Sequence, residues 1–225
     1  MIKECILQNG LKVIYSKKEG ELTSFCIGFE AGALVEDKNK LGIAHVVEHM
    51  LFKGTQKRTE YEINKLCDEV FGFHNAMTNY PYAIYYGTTL SSEFEKGFSI
   101  YSDIVLNATF PDEGFDEEIS IILEELSEWK EDTLQATEDE MFFNSFSERR
   151  IKERIIGTKE SITSITLDEI KDFYQRYYNA GNCVISVVSS LSFEEVMNIV
   201  KRYFNDFRGS HCLDEVVYEN NIGGT

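Results

Sequence analysis

The chain has 225 residues, 43% of them hydrophobic and 13% aromatic, which is enough for one large domain with a substantial core. Its formal charge of −17, from 39 acidic against 22 basic residues, repels nucleic acid and anionic membranes, so neither is expected as a partner. Cys5, Cys26, Cys67, Cys183 and Cys212 are scattered with no Cys-x-x-Cys pair, which argues against a disulfide framework and a thiolate zinc knuckle.

The N-terminus has no apolar core followed by a small-residue cleavage site, and no run approaches the length of a membrane span. A cytoplasmic location is the expectation. "CILQNGLKVIYSK" reads as two short strands around Asn9-Gly10. "LTSFCIGFEAG" alternates as a further strand ending at Gly32, and apolar spacing from Leu41 to Phe52 suits a helix. Thr59 with Glu62 forms a capping box that opens a helix closing at Gly72.

"HNAMTNYPYAIYYGTTL" is rich in strand formers, and Pro81 within it signals an edge, a bulge or a break between two strands. The pattern turns helical from Ser92 to Asn107 and again, in one long acidic segment, from Asp112 to about Arg149. Capping boxes at Thr166/Glu169 and Ser192/Glu195 start two more helices on either side of "NCVISVVSS", which reads as a buried strand. Strands and helices alternate without a regular βαβ repeat. The expected fold is therefore α+β, a two-layer sandwich with a mainly antiparallel sheet packed against helices. No Pro- or Gly/Ser-rich stretch divides the chain, so residues 1–210 are expected to form one domain and 211–225 the start of a linker.

Two of the four histidines fall within "GIAHVVEHMLFKGT". His45 and His49 are four apart, so on a helix they project from one face and can share a metal ion. Glu48 lies beside them without having to ligate. Catalytic zinc usually keeps three protein ligands and an open position for water, whose proton a nearby carboxylate can take. A third ligand is then required. "FDEEISIILEELSEWKED" offers Glu118, Glu124 and Glu125, and the seven-residue spacing of Glu118 and Glu125 lets them share a helix face. Composition does not choose among these carboxylates, any of which also suits a solvated helix surface.

The His-x-x-Glu-His motif, with "LQNGLKVIYSKKEG", "FHNAMTNYPYAIYY", "EEISIILEELSEWKED" and "IIGTKESITSITLDEIKDFYQRYYNAGNCVISVV" in order, resembles the pitrilysin, insulin-degrading enzyme and mitochondrial processing peptidase family. The likeness is to the N-terminal half and nearest the processing-peptidase branch. It implies a zinc metalloendopeptidase with Zn2+ held by His45, His49 and Glu125. Glu48 is then the general base, and Glu118 a supporting catalytic carboxylate one heptad before Glu125. Glu124 takes the ligand's place if the alignment slips by one. Asn75, Ala76 and Thr78 of "HNAMT" match the family's edge strand, to which a peptide substrate is expected to add. His74 is incidental in this reading.

The resemblance also implies a second homologous domain or subunit that closes over short, unfolded or extended peptides and contributes an Arg and a Tyr to the site. Two departures stand out. Gly72, Phe73 and His74 occupy the place of the usual Gly pair, and "VVSSLSFEEV" lacks the usual Gly-Asp. An alternative function is a non-catalytic peptide-binding or partner subunit of the same fold, although such subunits typically carry a degraded metal motif. A small-molecule lyase with a cysteine ligand would have to use Cys183, which has no suitable flanking pattern.

Overall fold

In the computed structural model, which describes residues 2–210, six strands form one open sheet and eight helices accompany it. The strands are β1 (Ile2–Ile6), β2 (Lys12–Lys17), β3 (Leu22–Phe29), β4 (Phe71–Thr78), β5 (Ala83–Leu90) and β6 (Cys183–Ser189). The helices are α1 (Ile43–Leu51), α2 (Glu60–Val70), α3 (Phe94–Asn107), α4 (Phe115–Glu131), α5 (Thr133–Ser145), α6 (Lys159–Ser164), α7 (Leu167–Tyr177) and α8 (Phe193–Phe204). The sheet order is β1-β2-β6-β3-β5-β4, antiparallel throughout except for the parallel β2–β6 pair. The α+β sandwich expected from the sequence is the observed architecture. The expected linker, 211–225, lies outside the described residues.

Alternation along the strands sends one row of side chains into the helix layer. Phe25, Ile27 and Phe29 of β3, Tyr85 of β5, and Ile185 and Val187 of β6 are buried there against Val46, Val47 and Met50 of α1, Phe94, Phe98 and Tyr101 of α3, and Val196, Val200 and Phe204 of α8. β6 departs from its sequence reading. Its run reads as wholly buried, yet Val184 and Val188 are 41% and 39% exposed, because helices cover only one face of the sheet. The two strands expected around Asn9-Gly10 are present as the antiparallel pair β1 and β2. Ile6 pairs with Lys12, and the Leu7 amide donates to the Leu11 carbonyl across the turn, with Gly10 at φ +91°. Asn9 ties that turn to the far end of the chain, donating to the carbonyls of Phe204 and Phe207 at 2.8 and 2.9 Å.

Pro81 falls in the break between β4 and β5, the third of the arrangements its position allowed, and β4 is one of the two edge strands of the sheet, β1 being the other. The acidic segment expected as one helix is two. α4 ends at Glu131, and the Asp132 carboxylate caps the new N-terminus by accepting from the amides of Leu134 and Gln135. The cap residue, Asp132, is the local signal of that break. All three expected capping boxes are present, at Thr59/Glu62, Thr166/Glu169 and Ser192/Glu195, with a further one at Thr158/Ser161. Cys5 and Cys26 are half-buried, Cys67 and Cys183 are buried, and all are free thiols; Cys212 lies outside the described residues.

The orientation of α1 decides the site, and it is set from its N-terminus. Gly42 precedes the helix at φ +92°, and a Cβ there would stand 2.5 Å from the Ile156 carbonyl oxygen, so only glycine allows this approach. No side chain caps the helix from the Gly42 position. Glu36 does so instead, accepting from the amides of Gly42 and Ala44, both at 3.0 Å. Arg150 donates to the same carboxylate through Nε at 3.1 Å and a terminal nitrogen at 2.6 Å. The Glu36 side chain is fully buried. Removing its partner with Arg150→Met would strand a buried carboxylate, and a loss of about 3–5 kcal/mol is expected in urea denaturation.

Candidate metal centre

α1 lies across α4, so the polar stripe of one helix meets that of the other. On α1 the apolar residues Ile43, Val46, Val47 and Met50 face the core, which leaves His45, Glu48 and His49 turned toward the cleft. On α4, Ile122 and Leu126 are buried and flank Glu118 and Glu125. His45 Nε2 stands 3.7 Å from Glu125 Oε1, and His49 Nε2 3.5 Å from Glu125 Oε2. One ligand atom from each of His45, His49 and Glu125 lies within 4.8 Å of the others, and no other such group occurs among the described residues. Glu124, the next residue, is exposed and outside this group, as is buried Cys183.

Glu118 is placed behind His49. Its Oε1 accepts from His49 Nδ1 at 2.7 Å, which puts the ring proton on Nδ1 and turns Nε2 toward Glu125. Its Oε2 takes a second bond, from Lys53 Nζ at 2.9 Å, and Lys53 also reaches Glu60 Oε1 at 2.8 Å. The His49 hydrogen bond, with help from Lys53, outweighs burial and holds the Glu118 carboxyl down at about 2. For His49 burial opposes the charged ring, but hydrogen bonds to Glu118 and Glu125 prevail and raise it to about 9. His45 goes the other way, lowered first by burial and then by the neighbouring His49. Its Nδ1 is buried with no hydrogen-bond partner.

Glu48 is raised above the ordinary carboxylate range, chiefly by burial. Thr78, at the end of β4, donates its hydroxyl to Glu48 Oε2 and partly offsets that rise. Of the other strand residues singled out in the sequence, Ala76 is half-buried and Asn75 exposed, and the Ala76 amide donates to Asn75 Oδ1 at 2.9 Å. All three border a cleft of about 560 Å³ that also takes in His45, Glu48, His49, Glu118 and Glu125. His74 borders it as well, with Nδ1 3.1 Å from the Tyr101 hydroxyl. Lys53, Tyr101 and Trp129 of the cleft wall went unnoticed in the sequence. Lys53 carried no usable signal, since it lies beyond α1, which ends at Leu51.

A family model described as Insulinase (Peptidase family M16) matches residues 12–159, and one described as Peptidase M16 inactive domain matches 164–221. The chain belongs to peptidase family M16. The second match includes β6, which lies between β2 and β3 within the sheet that the first match otherwise builds.

Among curated relatives, the chain is 31% identical over 216 residues to the mitochondrial-processing peptidase subunit beta of Dictyostelium discoideum, covering 93% of the chain and 45% of the relative. It is 28% identical over 203 residues to an uncharacterized zinc protease of Rickettsia felis, covering 90% of the chain and 49% of the relative. The chain thus spans about half the length of the curated relatives it matches. In fold it is similar to the first half of the periplasmic protease PqqL from Escherichia coli, with a TM-score of 0.88 and 23% identity over 98% of this chain and 49% of that one. A protease from Helicobacter pylori gives a TM-score of 0.85 at 23% identity, over 99% of this chain and 54% of that one.

Proposed function

We propose that the chain is the zinc-binding catalytic half of a metalloendopeptidase that cleaves short, unfolded or extended peptides and works with a second homologous half. The observation that carries this reading is the convergence of His45, His49 and Glu125 within 4.8 Å, in a cleft that also holds Glu48 and borders the edge strand β4. Two imidazoles and one carboxylate are the nitrogen and oxygen donors that zinc accepts at a three-ligand catalytic site. An ion held there would acidify a water molecule and polarise the scissile carbonyl.

The remaining roles belong to the chain's own side chains. Glu48, half-buried and raised, takes a proton from the attacking water and passes it to the departing amine nitrogen, which restores its carboxylate. Thr78 holds one oxygen of Glu48, leaving the other to meet the water. Asn75, Ala76 and Thr78 lie on the edge strand where an extended peptide would add by main-chain hydrogen bonds. Glu118 fixes the tautomer of His49. Glu118→Gln is expected to weaken zinc binding about 10–100-fold, as read by competition with a chromophoric chelator.

Residues 1–210 would be the catalytic domain, with 211–225 leading toward the second half. The test combines elemental analysis of the purified chain with cleavage of an internally quenched peptide, with and without the second half added. One zinc per chain is expected, with turnover only when both halves are present. Full-rate cleavage by the 225-residue chain alone would overturn the two-part reading. Stoichiometric zinc without turnover in the assembled pair would instead favour a non-catalytic partner subunit.

A further inference from the structure

Lys53 follows α1 and is almost enclosed, its side chain 9% exposed. Its ammonium stands between two carboxylates from different helices, Glu118 of α4 at 2.9 Å and Glu60 of α2 at 2.8 Å. With the 2.7 Å bond from His49 to Glu118, this makes one continuous chain, His49–Glu118–Lys53–Glu60. Each oxygen of Glu118 has one of these partners, so the carboxylate plane is fixed at both ends. Without Lys53, Glu118 Oε2 loses its ion-pair partner, and rotation about the terminal torsion, which is intrinsically broad, carries Oε1 away from the His49 ring.

We propose that Lys53 is a positioning residue for the metal centre, orienting the His49 imidazole through Glu118 and so setting the affinity for a divalent ion. This rests on the metal-site assignment made above. A plain helix staple would also join α1, α2 and α4, but it would have no bearing on the ion. Glu60 separates the two roles, because it shares the staple and does not touch Glu118's bond to the ring.

The experiment measures zinc affinity of the purified chain by chelator competition, and thermal unfolding of the metal-free chain, for Lys53→Met, Lys53→Arg, Glu60→Gln, Glu118→Gln and the Lys53→Met/Glu118→Gln double variant. Lys53→Met should weaken zinc about 10–100-fold, the range for loss of an outer partner of a ligating histidine. Lys53→Arg, which keeps a charged donor, should stay within about threefold, as should Glu60→Gln. The double variant should bind about as weakly as Glu118→Gln alone, because both changes break the same chain.

Unchanged affinity in Lys53→Met, or losses that multiply in the double variant, would overturn the proposal, even where the unfolding temperature falls. If Lys53→Met does not fold, the same cycle with Lys53→Gln decides by the same criteria. Failure of the underlying site assignment looks different: the unaltered chain would then hold no zinc, or would hold it regardless of Glu125.

Discussion

Glu48→Gln in the assembled enzyme should lower kcat by about 10²–10⁴ and leave zinc content at one per chain. Glutamine keeps the size of the side chain and can still accept the Thr78 hydroxyl, but it has no basic oxygen to take a proton from water. The separation of the two readouts follows from geometry. Glu48 is next to His49 in the chain, yet it stands apart from the ligand group, whose third member comes from α4. Burial has already raised Glu48 above an ordinary carboxylate, toward the range where proton transfer near neutral pH is efficient. A Glu48→Gln enzyme that cleaves peptide at the normal rate would end the proposed mechanism. One that loses zinc would move Glu48 into the ligand set.

Glu125→Gln should weaken zinc binding by more than the ~10–100-fold cost of losing an outer partner, because it removes the only carboxylate among the three converging ligands. The neighbouring Glu124→Gln is the control. Glu124 is exposed and outside the converging group, so its loss should leave zinc affinity within about twofold, in keeping with the small effect of exposed charges. The two substitutions remove the same charge from the same turn, which separates ligation from the general negative field of α4. Elemental analysis after dialysis against a weak chelator reads the difference directly. Equal losses in the two variants would mean that the acidic helix attracts the ion without Glu125 coordinating it.

Much of the fold could be read along the chain because it depends on local chemistry. Thr59, Thr166 and Ser192 announce helix starts through side chains that reach amides three residues on, an interaction complete within one turn. Alternation in β3 is equally local. The parallel pairing of β2 with β6 is different: Val13 meets Ile185 across most of the sequence, and nothing near either residue specifies the other. The exposed half of β6 is a related case. Val184 and Val188 look like core residues, and only the one-sided helix layer leaves them at the surface. Lys53 escaped notice because its meaning comes from Glu60 and Glu118, which only packing brings to it.

His45, Glu48 and His49 were determined as a unit by the sequence itself, since residues four apart on a helix must share a face in any fold that keeps the helix. The choice among Glu118, Glu124 and Glu125 belonged to the tertiary structure. All three sit on one acidic helix, and their roles differ only because α1 crosses α4 at a particular height and rotation. Glu36, Arg150 and the contact of Gly42 with Ile156 set that crossing from outside both helices. At that crossing Glu125 faces the two imidazoles, Glu118 lies behind one of them, and Glu124 is turned to solvent.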